Sequence, residues 1–257
     1  MTNSLPKISC LVVTSDRPKL LRRSVHSFIK QRYPNKELVV VDNGENSIRS
    51  ILNEFNISDL TYEYIEPSTD IILGDLRNIS LEKASGDILT CWDDDDWFHP
   101  ERLEKQYQAL EEGYDACCLK GNLFHVDYAE YSENPYRGSL PHGSPSTIMH
   151  YHDSEIRYPS LPREEDTLYL NEWRKKNYEV LSIKYAYLFV RCYHGSNISG
   201  KEHFLRRLRN SPWNWVLYIW YHVITDNLFN HPKFKLTKQE QQSLDQFLEV
   251  SRKYKLI

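Results

Sequence analysis

The first 120 residues predict an α/β protein with a mostly parallel sheet covered by helices on both faces, and three observations carry that expectation. Short apolar runs of strand length alternate with segments whose apolar residues recur at helical spacing. The runs are nearly continuous rather than alternating, as in strands buried on both faces. Prolines, glycines and an Asp-Asn-Gly triplet punctuate the segments where elements begin and end.

Ile8 to Val13 is the first buried strand, and it stops at Thr14-Ser15-Asp16-Arg17-Pro18. Pro18 in the first turn opens a helix with Leu20, Leu21, Val25, Phe28 and Ile29 at apolar positions. Glu37 to Val41 is the second strand, stopped by Asp42-Asn43-Gly44. A helix over 47–55 and a strand over 61–65 follow. Asp75 to Ala84 reads as helix with Gly86 as its C-cap, and Asp87 to Trp92 as a strand running into four aspartates. Pro100 starts a helix to about Glu112, and Asp115 to Leu119 is a further strand. From Lys120 to Pro162 the pattern dissolves into a Tyr-, His-, Pro-, Ser- and Gly-rich stretch, read as hairpins and loops around a binding surface. Periodicity returns with a helix from Glu164 to Lys176 and strands at Glu179–Ile183 and Tyr187–Cys192. The last 57 residues look helical and form an extension beyond a first unit of residues 1–200, on which they are expected to pack.

At 257 residues and 30.6 kDa, with 40% apolar and 26% charged residues, the chain can bury a core of its own. The formal net charge of −4 argues against a nucleic-acid partner, which needs a basic surface. The charge is divided unevenly. Residues 201–257 hold ten Lys and Arg against five acidic groups, so the remainder is strongly acidic. Glycines number nine where about 18 are typical, and none falls into the GxGxxG or GxxxxGK[ST] phosphate cradles. Five cysteines, an odd number without a CxxC pair, fit a reducing compartment rather than disulfides or zinc. MTNSLPKIS lacks the apolar core of a signal peptide, and the apolar stretch Trp215–Ile224 is too short to span a bilayer. A cytoplasmic protein is expected, with contact at the inner membrane face left open.

The informative segment is Ile88-Leu89-Thr90-Cys91-Trp92 followed by Asp93-Asp94-Asp95-Asp96-Trp97. Adjacent carboxylates repel one another unless a cation or solvent compensates. At the carboxyl end of a parallel strand they occupy the place where open α/β sheets bind ligands. Mg²⁺ favours one or two carboxylates together with phosphate oxygens. A solvated acidic turn with Asp96 capping the next helix is the alternative.

Four blocks in order, over about 190 residues, resemble the inverting glycosyltransferases of family two, which have the GT-A fold: a Rossmann-like, mostly parallel sheet flanked by helices. ISCLVVTSDRPKLLRRSVHSFIKQRYPNKELVVVDNG resembles their opening strand, helix and second strand. LGDLRNISLEKASGDILTCWDDDDWFHPERLEKQ resembles the helix, the strand bearing the DxD metal motif and the next helix. LPREEDTLYL resembles the acceptor-side Glu-Asp segment, and YLFVRCYHGSNIS the last strand and loop.

The resemblance implies transfer of a sugar from a nucleoside-diphosphate donor to a hydroxyl of a saccharide or glycan acceptor, possibly lipid-linked, with inversion and with Mn²⁺ or Mg²⁺. It assigns nucleotide-sugar binding to Thr14, Ser15, Arg17, Asp42, Arg77, Asp93 and Asp94, with Asp42 opposite the base and Arg77 at the diphosphate or orienting an aspartate. It assigns the metal to Asp95 and His194, and the catalytic base to Asp166. Each residue also has an ordinary reading: Asp42 as a turn residue, Arg77 in a surface ion pair, the acidic first turn at 164–166 as a complement to the helix dipole, and His194 as structural. Among the other histidines, His142, His150 and His152 show no ligand spacing.

In the tail, Trp213, Trp215, Tyr218, Trp220 and Tyr221 lie near Lys201, Arg206, Arg207 and Arg209. Such a segment either seats a helix at an anionic membrane surface or packs on the first unit with its tryptophans in the core; the packed helix is preferred. Two other functions compete. A sugar-nucleotide nucleotidyltransferase needs a glycine-rich loop, and the loop after the first strand has no glycine. A non-catalytic GT-A-like binding module is disfavoured by the presence of both Asp95 and Asp166.

Overall fold

The computed structural model describes residues 5–68, 70–195, 197 and 200–257. The first four residues, and Ser196, Ile198 and Ser199 of the block matched to the family's last loop, lie outside them. In chain order the elements are β1 (Ile8–Thr14), α1 (Pro18–Ile29), β2 (Lys36–Asp42), α2 (Arg49–Leu52), β3 (Leu60–Tyr64), α3 (Leu73–Lys83), β4 (Ile88–Cys91), β5 (Trp97–Phe98), α4 (Arg102–Glu111), β6 (Ala116–Leu119), β7 (Gly121–Val126), β8 (Tyr136–Ser139), β9 (Met149–Tyr151), α5 (Glu165–Trp173), β10 (Tyr178–Leu181), β11 (Phe189–Tyr193), α6 (Lys201–Leu205), α7 (Pro212–Ile219) and α8 (Lys238–Lys253).

The main sheet has the order β10-β6-β9-β4-β1-β2-β3 and is parallel except for β9, which runs antiparallel to β4 and β6. Its central strands are mostly apolar because both faces are covered. Cys10, Val12, Leu38 and Val40 pack with Leu21, Val25 and Phe28 of α1, while Leu11, Val39 and Leu89 face Leu81 of α3 and Leu170 and Trp173 of α5. A smaller sheet, β5-β11-β7-β8, lies beyond the aspartates. The stretch read as hairpins and loops thus divides: β7 and β8 pair antiparallel in the small sheet, and β9 inserts into the large one.

Several local expectations are corrected. The helix expected over 47–55 is a single turn, Arg49–Leu52, and Ile29 at the end of α1 is exposed. Gly86 is not a left-handed cap. Helix α3 ends at Ala84 in extended conformation, and a Cβ on Gly86 would stand 2.5 Å from Ser9 Oγ and 2.7 Å from the Lys7 carbonyl. Glycine is needed there because the chain passes tightly against β1, not because of its φ. The strand expected at Tyr187–Cys192 starts at Phe189, after a 3₁₀ turn over Ile183–Leu188. Asp96 does not cap α4, whose first turn has no side-chain cap.

The basic tail is helical, and its parts differ in how they sit. Leu244 and Phe247 of α8 join Trp97, Leu123, Val190 and Cys192 in one cluster. The Phe247 ring lies 6.4 Å from Trp97 and 5.0 Å beneath the Arg23 guanidinium. In α7 and the wider turn after it, Trp213, Trp215 and Trp220 are exposed, contrary to the expectation that they enter the core.

Phe247→Ala should cost about 3–5 kcal/mol, the usual range for emptying a buried aromatic site. Urea denaturation of the full chain measures it; a loss below about 1 kcal/mol would mean that α8 contributes little to the fold.

Candidate active site

Asp93 to Asp96 run from the end of β4 in the large sheet to the start of β5 in the small one, so the acidic corner lies where the two sheets meet. Helix α1 fixes its backbone. Ser24 Oγ donates to the Asp93 carbonyl at 3.0 Å, Arg23 donates to the Asp95 carbonyl, and Trp92 Nε1 donates to the Ser24 carbonyl at 3.3 Å. Arg23 also reaches Ser251 Oγ of α8 at 3.1 Å, which ties the tail to the same corner.

Side chains from three elements converge on the carboxylates. Thr14, at the end of β1, donates through Oγ1 to Asp94 Oδ2 at 2.7 Å. Arg17, just before α1, places Nη1 3.2 Å from Asp94 Oδ1 and 3.4 Å from Asp95 Oδ2. Arg77 on α3 bridges Asp93 Oδ1 at 3.2 Å and Glu165 Oε1 at 3.1 Å. Ser15 turns away and donates to the Asn43 carbonyl at 3.2 Å.

The four aspartates are not four equal charges. Burial, reinforced by the charge of Asp95, pushes the Asp94 carboxyl up. Burial works in the same direction on Asp95, but its hydrogen bond with His194 and the Arg17 guanidinium outweigh it and hold this carboxyl below the usual range. Asp96 is buried, is pushed well above the ordinary carboxylate range by that burial, and accepts from the Cys192 N–H at 3.3 Å. The run therefore sorts into Asp95, held charged, two enclosed neighbours that burial pushes up, Asp94 and Asp96, and Asp93, which pairs with Arg77.

Asp95 Oδ2 is the meeting point for the end of β11. His194 Nε2 stands 3.4 Å away and Asn197 Nδ2 donates at 3.2 Å, while Asn197 Oδ1 accepts from the His194 N–H at 2.8 Å. Among the described residues, no three His, Cys, Asp or Glu side chains form a ready-made metal site. A carboxylate oxygen beside an imidazole still fits Mn²⁺ or Mg²⁺ when diphosphate oxygens and water supply the remaining ligands. Asp95 and His194 are the side chains that could hold such an ion.

Asp166 and Glu165 open α5. The residue before them, Glu164, has φ +66°, a left-handed conformation uncommon for a side-chain-bearing residue. After that kink Glu165 turns inward to Arg77, where burial raises its carboxyl despite the facing guanidinium. Asp166 is half-buried; its Oδ1 accepts from the Thr167 N–H at 2.6 Å and the Thr167 hydroxyl at 3.1 Å. Asp166, Asp93, Asp95, Arg17 and Arg77 line one cavity of about 1090 Å³.

Asp42 is not brought to that cavity. It is fully buried at the end of β2, accepting from the N–H groups of Gly44 (3.0 Å) and Ile48 (2.9 Å) and from the Tyr62 hydroxyl (2.7 Å). Two of these bonds end on Oδ2 and one on Oδ1.

The cavity is also lined by cations to which the sequence analysis gives no role at the site. Arg191 on β11, His203 on α6, and Arg206 and Arg207 after α6 all line it. Burial, then the neighbouring Arg191 and Arg206, lower the Arg207 guanidinium to about 10. Burial and the same arginines lower His203 to about 4. Cations crowded this closely fit an anionic ligand. An arginine inside the apolar run Tyr187–Cys192 was the available signal.

The chain belongs to glycosyl transferase family 2, whose family model matches residues 9–186. An uncharacterised glycosyltransferase of Haemophilus influenzae is 26% identical over 84% of this chain and 88% of its own length. A putative teichuronic acid biosynthesis glycosyltransferase of Bacillus subtilis, TuaG, is 29% identical over 44% of this chain, which spans 45% of that relative. S. aureus TarS, residues 1–349 in complex with UDP-GlcNAc, superposes with a TM-score of 0.59 at 19% identity, covering 95% of this chain and 81% of that one. The mannosyltransferase PcManGT of Pyrobaculum calidifontis, in complex with GDP-Man and Mn²⁺, gives 0.56 at 12% identity over 98% and 76%. The architecture is thus the GT-A fold expected from the resemblance.

Removing Arg77 leaves Glu165 buried without a counter-charge. Arg77→Met should cost about 3 kcal/mol in the native background and about 1 kcal/mol beside Glu165→Gln, in a double-mutant cycle read by urea denaturation. Equal costs in the two backgrounds would show that the pair is not coupled.

Proposed function

We propose that the protein transfers a sugar from a nucleoside-diphosphate donor to a hydroxyl group of a saccharide or glycan acceptor, with inversion at the anomeric carbon. The observation that carries this reading is the placement of Asp95, beside His194, and Asp166 on one cavity beyond the carboxyl ends of β4 and β1. Family membership supports the reaction class. The ligands named for the TarS and PcManGT structures support a UDP- or GDP-sugar donor. TuaG supports an acceptor in surface polysaccharide synthesis.

In this reading the loop of Thr14, Ser15 and Arg17 receives the nucleotide, and Asp93 and Asp94 face its ribose. Asp42 holds the turn on the base side of that loop through Gly44 and Ile48, and is the carboxylate that would meet the base. Arg17 and Arg77, now paired to carboxylates, have guanidinium N–H groups that can exchange to diphosphate oxygens. Asp95 and His194 would hold Mn²⁺ or Mg²⁺, whose chemistry when bound is Lewis-acid neutralisation of the departing diphosphate. Asp166 takes the proton of the acceptor hydroxyl as that oxygen attacks the anomeric carbon. One displacement, with the sugar passing directly between two oxygens, inverts the centre. Thr167, which donates to Asp166 Oδ1, keeps that carboxylate oriented and leaves Oδ2 for the acceptor.

Asp166→Asn should lower transfer by about 10³-fold, within the range for losing a general base, while nucleotide affinity changes little. Turnover is read as released nucleoside diphosphate and affinity by calorimetry. Retained turnover removes Asp166 as the base, and release of pyrophosphate instead would mean a nucleotidyltransferase.

A further inference from the structure

Helix α7 and the turn that continues it have an apolar face that is left exposed among the described residues. Trp213, Val216 and Trp220 recur at i, i+3 and i+7, one side of α7, and Val223 and Ile224 follow in the wider turn. All five are exposed, from 52% at Val216 to 68% at Trp213. The opposite side rests on the molecule through Tyr218, which packs against the Phe124 and Phe204 cluster, and Tyr221, whose ring lies 5.8 Å from His231. The segment is therefore held in place while its tryptophans point outward.

We infer that this face docks on an anionic lipid surface. Tryptophan suits the boundary between headgroups and acyl chains, because its ring is apolar while its N–H stays in reach of polar groups. The charge next to it is of the sign such a surface attracts. Arg206, Arg207 and Arg209 form the turn just before α7, and together with Trp215 they line a shallow recess beside the tryptophan face. The basic balance of residues 201–257, set against the acidic balance of residues 1–200, turns this end of the chain toward negative headgroups. A face buried against a second copy of the chain would gain nothing from that basic border, which would meet its own like charge. No helix among the described residues is long and apolar enough to cross a membrane, so the contact lies at the surface.

The location has a consequence for the reaction. Arg206 and Arg207 line both the recess and the catalytic cavity. On the reading proposed above, and resting on it, the acceptor opening then faces the lipid boundary, where a lipid-linked acceptor would enter. Docking itself is tested without any substrate, so failure of the transfer reading leaves it standing, and the reverse holds as well.

The full chain is sedimented with vesicles of phosphatidylcholine, alone or with one third phosphatidylglycerol, at low and high salt. Partitioning should be at least ~10-fold stronger on the anionic vesicles and should weaken as salt screens the arginines. Trp213→Ser combined with Trp220→Ser should lower it by ~10-fold or more with an unchanged melting temperature, since both side chains are exposed. Three results would each overturn the inference: no partitioning, equal partitioning of the double variant, or a tryptophan-dependent dimer that ignores vesicles.

Discussion

Two guanidinium groups make the acidic corner possible. Asp93, Asp94 and Asp95 lie side by side at the end of a buried strand, where like charges cannot stand uncompensated. Arg17, entering α1, and Arg77, on α3, come from opposite faces of the sheet and divide the carboxylates between them. Burial and the charge of Asp95 push Asp94 up against the opposing pull of Arg17 and the Thr14 hydroxyl, while Asp95 is held below the usual carboxylate range. Much of the surrounding structure serves this arrangement. Helix α1 pins the backbone through Ser24 and Arg23, α8 holds Arg23 through Ser251, and the short strand β5 brings the end of β11, with His194 and Asn197, up to Asp95.

The same guanidiniums make the corner ready for a diphosphate. Each makes charge-assisted hydrogen bonds to carboxylate oxygens at 3.1–3.4 Å, and such bonds exchange readily to phosphate oxygens of the same charge. Arg191, Arg206 and Arg207 line the same cavity as the corner. On the reading proposed above, an anionic donor meets both sets of cations, and Asp166 on α5 lines the cavity with them.

The strands buried on both faces were legible because continuous apolar runs such as Ile8–Val13 and Glu37–Val41 have no other economical reading. The acidic corner was legible for the opposite reason: four carboxylates after such a run demand compensation. Strand β9 was not, since three residues, Met149 to Tyr151, carry no period and pair only through distant partners. Gly86 was misread because a cap and a close backbone approach both call for glycine. Asp42 was legible as a residue ending β2, but not the three donors that enclose it, which come from the turn and from β3. Arg191, Arg206 and Arg207 resemble solvated surface charges until β11 and α6 bring them together. A stripe of tryptophans at helical spacing reads alike for a core and for an outer surface, and only the fold separates the two.

The account turns on a divalent cation held between Asp95 and a bound diphosphate. Anomalous diffraction at the manganese edge, from crystals grown with UDP or GDP and Mn²⁺, tests this most directly. The expected result is a single anomalous peak bonded to the Asp95 carboxylate and to diphosphate oxygens, with Arg17 released from Asp95. Nucleotide bound in the cavity with no peak there, and with Arg17 still paired to Asp95, would contradict it.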